Sequence, residues 1–114
     1  MPSNKSDYQR AYYERNKEKV KKQAAASNKK RREAHRAMVL AYLQTHPCVD
    51  CGESDPVVLE FDHRNPSEKS FCIGQGVAQT WRQEVIEAEI AKCDVRCANC
   101  HRRRTARQRA AGEW

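Results

Sequence analysis

A small α+β protein stapled by a metal, with a basic helical arm ahead of it, is the fold class this sequence predicts. Three observations carry that expectation. Residues 57–63, VVLEFDH, alternate apolar and polar side chains, the period of a half-buried strand. Residues 80–93, TWRQEVIEAEIAKC, put Trp81, Val85, Ile86 and Ile90 at helical spacing. Two C-x2-C pairs, Cys48/Cys51 and Cys97/Cys100, bracket both elements. With 114 residues, 39% hydrophobic and 32% charged, the core is modest, and small cores commonly need a staple.

The chain divides by charge. Residues 1–36 hold twelve Lys/Arg against four Asp/Glu, a net +8, whereas residues 37–114 net −1, so the whole basic excess lies in the first third. Residues 5–36 contain neither Gly nor Pro and are rich in helix formers, with only Tyr8, Tyr12 and Tyr13 as an apolar stripe. They read as a helical or partly disordered arm that gains order on a polyanion. Lys29, Lys30, Arg31 and Arg32 are its densest basic patch, and a solvated charged helix is the plainer alternative. The expected domains are this arm (1–36), a metal-stapled domain (37–110) and a tail (111–114).

Within 37–110, HRAMVLAYLQT (35–45) offers a short helix that Pro47 stops just before Cys48. In the strand, Val57, Leu59 and Phe61 are expected to face one way, and Val58, Glu60 and Asp62 the other. NPSEKSFCIGQG (65–76) is turn chemistry around a short strand at 70–73. Thr80 with Gln83 three residues on forms a capping box for the 80–92 helix. HRRRTARQRA (101–110) is a last helix, ended by Gly112.

The two knuckles, CVDC and CANC, stand 45 residues apart. Each offers two thiolates, and together they close a tetrahedral shell, which makes a structural Zn²⁺ the expected occupant. Buried unliganded cysteines or a redox pair are the alternatives. Cys72 and Cys93 lack such spacing and read as small buried hydrophobes. No segment is apolar enough to span a membrane and the N-terminus lacks a signal-peptide core, so the expected setting is cytoplasmic, where six cysteines argue for metal over disulfides.

With four thiolates on the zinc, His101 is surplus to it. Asp62 and His63, at a strand end, could converge on the same spot as a histidine that opens a helix. Asp62 and His101 would then hold an ion with several water positions open, which suits Mg²⁺ or Mn²⁺ beside a phosphate. Imidazole is the side chain suited to deprotonate water near neutrality, which gives His63 the part of general base. Taken singly, each histidine reads as an ordinary surface residue.

The order CVDC…LEFDHR…EIAKCDVRCANCHRRRT resembles the HNH endonucleases, over about residues 46–107. The resemblance implies a ββα-metal (His-Me finger) core, as in the small single-domain nucleases of bacteria and their phages, and hence a bacterial or phage-infected cell. It implies hydrolysis of DNA with Asp62 as metal-binding acid, His63 as general base and His101 as metal ligand, leaving a 5′ phosphate. The family's middle asparagine, just before the second knuckle, braces the catalytic loop. Here 91–96 reads AKCDVR, so Asn99 takes that part or Lys92, Cys93 or Asp94 varies it. A second helix ligand one turn past His101 would fall on Thr105, leaving two protein ligands for the catalytic ion, be it Mg²⁺, Mn²⁺ or another divalent cation.

Arg102, Arg103, Arg104 and Arg107 follow the helix start, with Arg103 and Arg107 one turn apart, and are candidate phosphate contacts along with Arg64. The partner expected is DNA, with no membrane, and the protein a monomer or small homodimer. Two other readings share the charge and the cysteines: a non-catalytic zinc-ribbon module that binds nucleic acid, and an inactive HNH relative acting as an accessory protein. The trio Asp62, His63 and His101 separates the nuclease from a pure binder.

Overall fold

The structure, a computed structural model, describes residues 5–112; residues 1–4 of the arm and 113–114 of the tail lie outside the described residues. The elements run α1 (Lys5–Gln44), β1 (Leu59–His63), α2 (Ile73–Ala78), α3 (Gln83–Ile90), β2 (Cys93–Cys97) and α4 (Ala98–Ala110), with single 3₁₀ turns at Pro56–Val58 and Pro66–Glu68. Two compact units meet between Arg31 and Arg32.

In the first unit, residues 5–31 are helical, and Tyr8, Tyr12 and Tyr13 are 60%, 49% and 44% exposed. No tyrosine core forms there, as the polar sequence requires. No helix among the described residues is long and apolar enough to cross a membrane.

The second unit is α+β. The 35–45 helix is not a separate element: it is the end of α1, which stops at Gln44. Thr45 Oγ1 and His46 Nδ1 both donate to the Tyr42 carbonyl, at 3.0 and 2.8 Å, satisfying an acceptor at the helix end before Pro47. β1 and β2 pair antiparallel, Leu59 opposite Cys97 and His63 opposite Cys93. Leu59, Phe61 and Val95 occupy one sheet face and pack against Val39, Tyr42 and Leu43 of α1. Ile73, Val77, Ile86 and Ile90 of α2 and α3 form an adjoining cluster that shares Val39, Tyr42 and Phe61 with the first. The other sheet face carries Glu60 and Asp62, with α4 side chains over it.

Four expectations need correction. The strand begins at Leu59: Asp55 caps a 3₁₀ turn by accepting from Val57 N–H, and Val57 is 88% exposed and not in the core. The strand expected at 70–73 gives way to α2, whose buried Ile73, Gly76 and Val77 repeat at helical spacing. Gly76 is there for close packing, since a Cβ on it would lie 3.0 Å from Phe71 and 3.2 Å from Ile86. Cys72 is exposed, just ahead of α2. The capping box does not form either, for Thr80 has φ 54 and α3 starts only at Gln83. Trp81 is committed elsewhere: its N–H goes to Gly76 and its carbonyl accepts from His35 Nε2 at 2.7 Å. Gln83 donates to Glu87 instead.

Candidate metal and catalytic centre

The first knuckle is a tight turn. Gly52 N–H returns to the Cys48 carbonyl and Gly52 has φ 80, a conformation glycine adopts without strain. Val49 N–H donates to Val95 of β2, which brings the knuckle beside the second one. That second knuckle runs from the end of β2 into the first turn of α4, which starts about one turn earlier than the sequence suggests: Cys97 is the N-cap and its Sγ accepts from Cys100 N–H. The four sulfurs lie within 4.8 Å of one another, with Cys51 and Cys97 Sγ 3.7 Å apart. Zn–S bonds of about 2.3 Å in a tetrahedron put sulfurs about 3.8 Å apart, so the four cysteines could hold a metal such as zinc.

The thiols' acidities are split. Burial opposes ionisation of Cys48, but backbone hydrogen bonds at Cys97, Cys51 and Asp50 outweigh it and bring the thiol down to about 6. Cys100, hydrogen-bonded to Cys97 and desolvated, is pushed up to about 12, and at Cys51 a backbone hydrogen bond at Glu53 favours the thiolate but Cys48 and Cys97 together outweigh it and raise the pKa. Crowded sulfurs can share few negative charges unless a cation joins them. Cys93, by contrast, is buried, and desolvation followed by the charge of Glu89 lifts its thiol to about 11. It is packing, as expected.

His101 stands outside the thiol group. Its Nδ1 lies 2.8 Å from Glu60 Oε1 and its Nε2 3.5 Å from Asp62 Oδ1. Asp62, His63 and His101 line one cavity of about 140 Å³, together with Phe61, Pro66, Lys69, Thr105 and Gln108. Strand pleating alone would send Asp62 and His63 to opposite faces. His63 is the last residue of β1, and both residues line this cavity at the strand's end.

Asp62 is 7% exposed and pairs in register with Asp94, a repulsive arrangement by itself. Guanidinium groups resolve it. Arg96 reaches Asp62 Oδ2 at 2.9 Å and Asp50 Oδ2 at 2.8 Å, and Arg104 reaches Asp62 Oδ1 at 2.9 Å. Burial works against the charge on Arg96, and Asp50 and Asp62 more than offset it, so its pKa rises. Arg104 also donates to the His63 and Arg64 carbonyls, at 3.0 and 2.8 Å, so its guanidinium is engaged inside the fold. Arg64 likewise clamps the α3–β2 junction through the Ala91 and Cys93 carbonyls and Asp94. Arg102, Arg103 and Arg107 are exposed on α4, as are Lys29, Lys30 and Arg31 on α1, while Arg32 is half-buried. Asn99 is exposed in the first turn of α4.

One acid escaped the sequence reading. Glu89 is buried on the apolar face of α3 with Ile86 and Ile90. Its Oε2 lies 2.7 Å from His63 Nε2 and accepts from Ser70 N–H at 2.9 Å; its Oε1 accepts from Lys92 Nζ at 2.8 Å. Burial disfavours this carboxylate, yet Lys92, Ser70 and His63 bring its pKa down to about 2, so it is ionised throughout the neutral range. A glutamate at a core position of an amphipathic helix was the available signal.

Comparisons with protein-family models, with curated proteins and with solved structures gave no significant match. Among the described residues, the four cysteines are the one set of three or more metal-type donors drawn together. Asp62 Oδ1 and His101 Nε2 lie 3.5 Å apart outside that set, and the same Asp62 oxygen is held by Arg104 at 2.9 Å.

Proposed function

We propose that this chain is an HNH endonuclease with a ββα-metal core of β1, β2 and α4, which hydrolyses phosphodiester bonds in DNA with the help of a divalent cation. The observation that carries the reading is the shared cavity of Asp62, His63 and His101, beside a four-thiol cluster that has no need of His101. In this reading zinc is structural, and Asp62 and His101 hold a second ion, Mg²⁺ or Mn²⁺. When bound, that ion supplies positive charge to the phosphate and to the departing oxygen. His63 accepts a proton from a water, whose oxygen attacks phosphorus. The bond to the 3′ oxygen breaks, its electron pair stays on that oxygen, which takes a proton from solvent, and the product carries a 5′ phosphate. Arg102, Arg103 and Arg107 bind phosphates flanking the scissile one.

Supercoiled plasmid incubated with zinc-loaded protein tests this. Nicked or linear DNA should form with Mg²⁺, Mn²⁺ or Ni²⁺ and not with EDTA; no cleavage in any ion by folded protein would overturn it. The second reading, an accessory DNA-binding relative, has its own support: both oxygens of Asp62 are taken by guanidinium groups. It requires binding without cleavage in the same assay.

The arm supplies affinity in either case. Replacing Lys29, Lys30, Arg31 and Arg32 with glutamine should weaken DNA binding and flatten its salt dependence by about 0.9 log units per lost phosphate contact. Cleavage at saturating protein should survive. An unchanged slope in a filter-binding titration would exclude the patch from the interface.

A further inference from the structure

We propose that Glu89 is a positioning residue that fixes His63 as the Nε2–H tautomer and so presents an unprotonated Nδ1 to the cavity. This deepens the nuclease reading and, for its catalytic consequence, rests on it.

The argument starts from an oddity of placement. A glutamate on the buried face of a short helix is costly unless every oxygen is satisfied. Glu89 is satisfied by one ammonium, one backbone N–H and one imidazole nitrogen. Lys92, which holds Oε1, is itself anchored on the Glu68 carbonyl and Ser70 Oγ, at 3.0 and 3.1 Å. The carboxylate is thus held from both sides and has little freedom to leave the ring. An ionised carboxylate only accepts, so the ring nitrogen facing it must carry the proton. That nitrogen is Nε2, at 2.7 Å, and the neutral ring then bears its lone pair on Nδ1. Among the described residues no hydrogen bond is made to Nδ1 and no fully buried side-chain nitrogen or oxygen lacks a partner, so Nδ1 keeps some access to solvent although the His63 side chain is only 9% exposed. His63 lines the cavity that holds Asp62 and His101. A lone pair there meets the water that a phosphate in the cavity would bring to reaction. When the ring takes a second proton, Glu89 stabilises the imidazolium as well.

A merely structural tie between α3 and the 66–70 segment would cost stability when Glu89 is replaced and leave the cleavage rate of the folded protein unchanged. Long-range ¹H–¹⁵N correlation spectra of zinc-loaded wild-type protein, without other divalent ions, should show His63 protonated at Nε2 and bare at Nδ1. In Glu89→Gln the side-chain amide can donate as well as accept, and the spectrum should gain the Nδ1–H form. Single-turnover cleavage by Glu89→Gln should fall about 10–100-fold, the usual cost of losing an orienting partner, with DNA half-saturation and zinc content unchanged. A wild-type His63 protonated at Nδ1, or a Glu89→Gln variant that cleaves at the wild-type rate, overturns the proposal. If wild-type protein cleaves nothing, the nuclease reading fails, and the positioning role stands or falls on the wild-type spectrum alone.

Discussion

Replacing Cys48 or Cys97 with serine is expected to unfold the second unit. Among the described residues, eleven hydrophobic side chains are buried, and four of those are cysteines, so the aliphatic core is thin. A structural zinc site of this kind contributes on the order of 10–16 kcal/mol to folding, against a total stability of about 5–15 kcal/mol for an ordinary domain. Loss of one thiolate therefore removes more than the remaining core can offset. The readout is amide dispersion of β1 and β2 together with elemental analysis. Wild-type protein should carry one zinc per chain, and either variant should lose both zinc and dispersion. A folded, zinc-free wild-type protein would contradict the claim.

His63→Ala is expected to slow plasmid cleavage by roughly 10²–10⁴-fold, the usual size of a general-base contribution. It should do so without loss of zinc and without loss of divalent-ion affinity, because His63 is not needed as a ligand. Asp62→Ala should fail differently. Its carboxylate anchors Arg96 and Arg104 as well as the proposed ion, so ion affinity falls, and excess Mn²⁺ restores part of the rate. Titrating Mn²⁺ against initial rate separates the two: a lower plateau for His63→Ala, a shifted midpoint for Asp62→Ala. Identical behaviour would mean that the two residues do not divide the work.

Much of this arrangement was legible from residue types and spacing. The four-cysteine cluster followed from two knuckles, because thiolate pairs at that spacing have few other uses in a short chain. β1 followed from alternation, although Asp55 and Pro56 shortened it by making a 3₁₀ turn. β2 was missed. CDVRC alternates buried Cys93, Val95 and Cys97 with Asp94 and Arg96, yet its apolar positions are mostly cysteines already assigned to metal or packing. The start of α3 was misread because the tertiary demands on Trp81 override a local capping pattern. Glu89 and the intramolecular bonds of Arg64 and Arg104 depend on which elements fold against one another. A single sequence carries that only as an acid or base at an unexpected helical position.

The claim at the centre is that the CANCH stretch serves two metals with different chemistry, the thiols closing one site and His101 helping to open another. Zinc content and cleavage of His101→Ala, measured on the same folded sample, test it most directly. The predicted result is one zinc retained per chain, as in wild type, with cleavage lost and partly recovered in excess Mn²⁺. Release of zinc with cleavage per folded molecule intact would show that His101 belongs to the knuckle and would contradict the two-site arrangement.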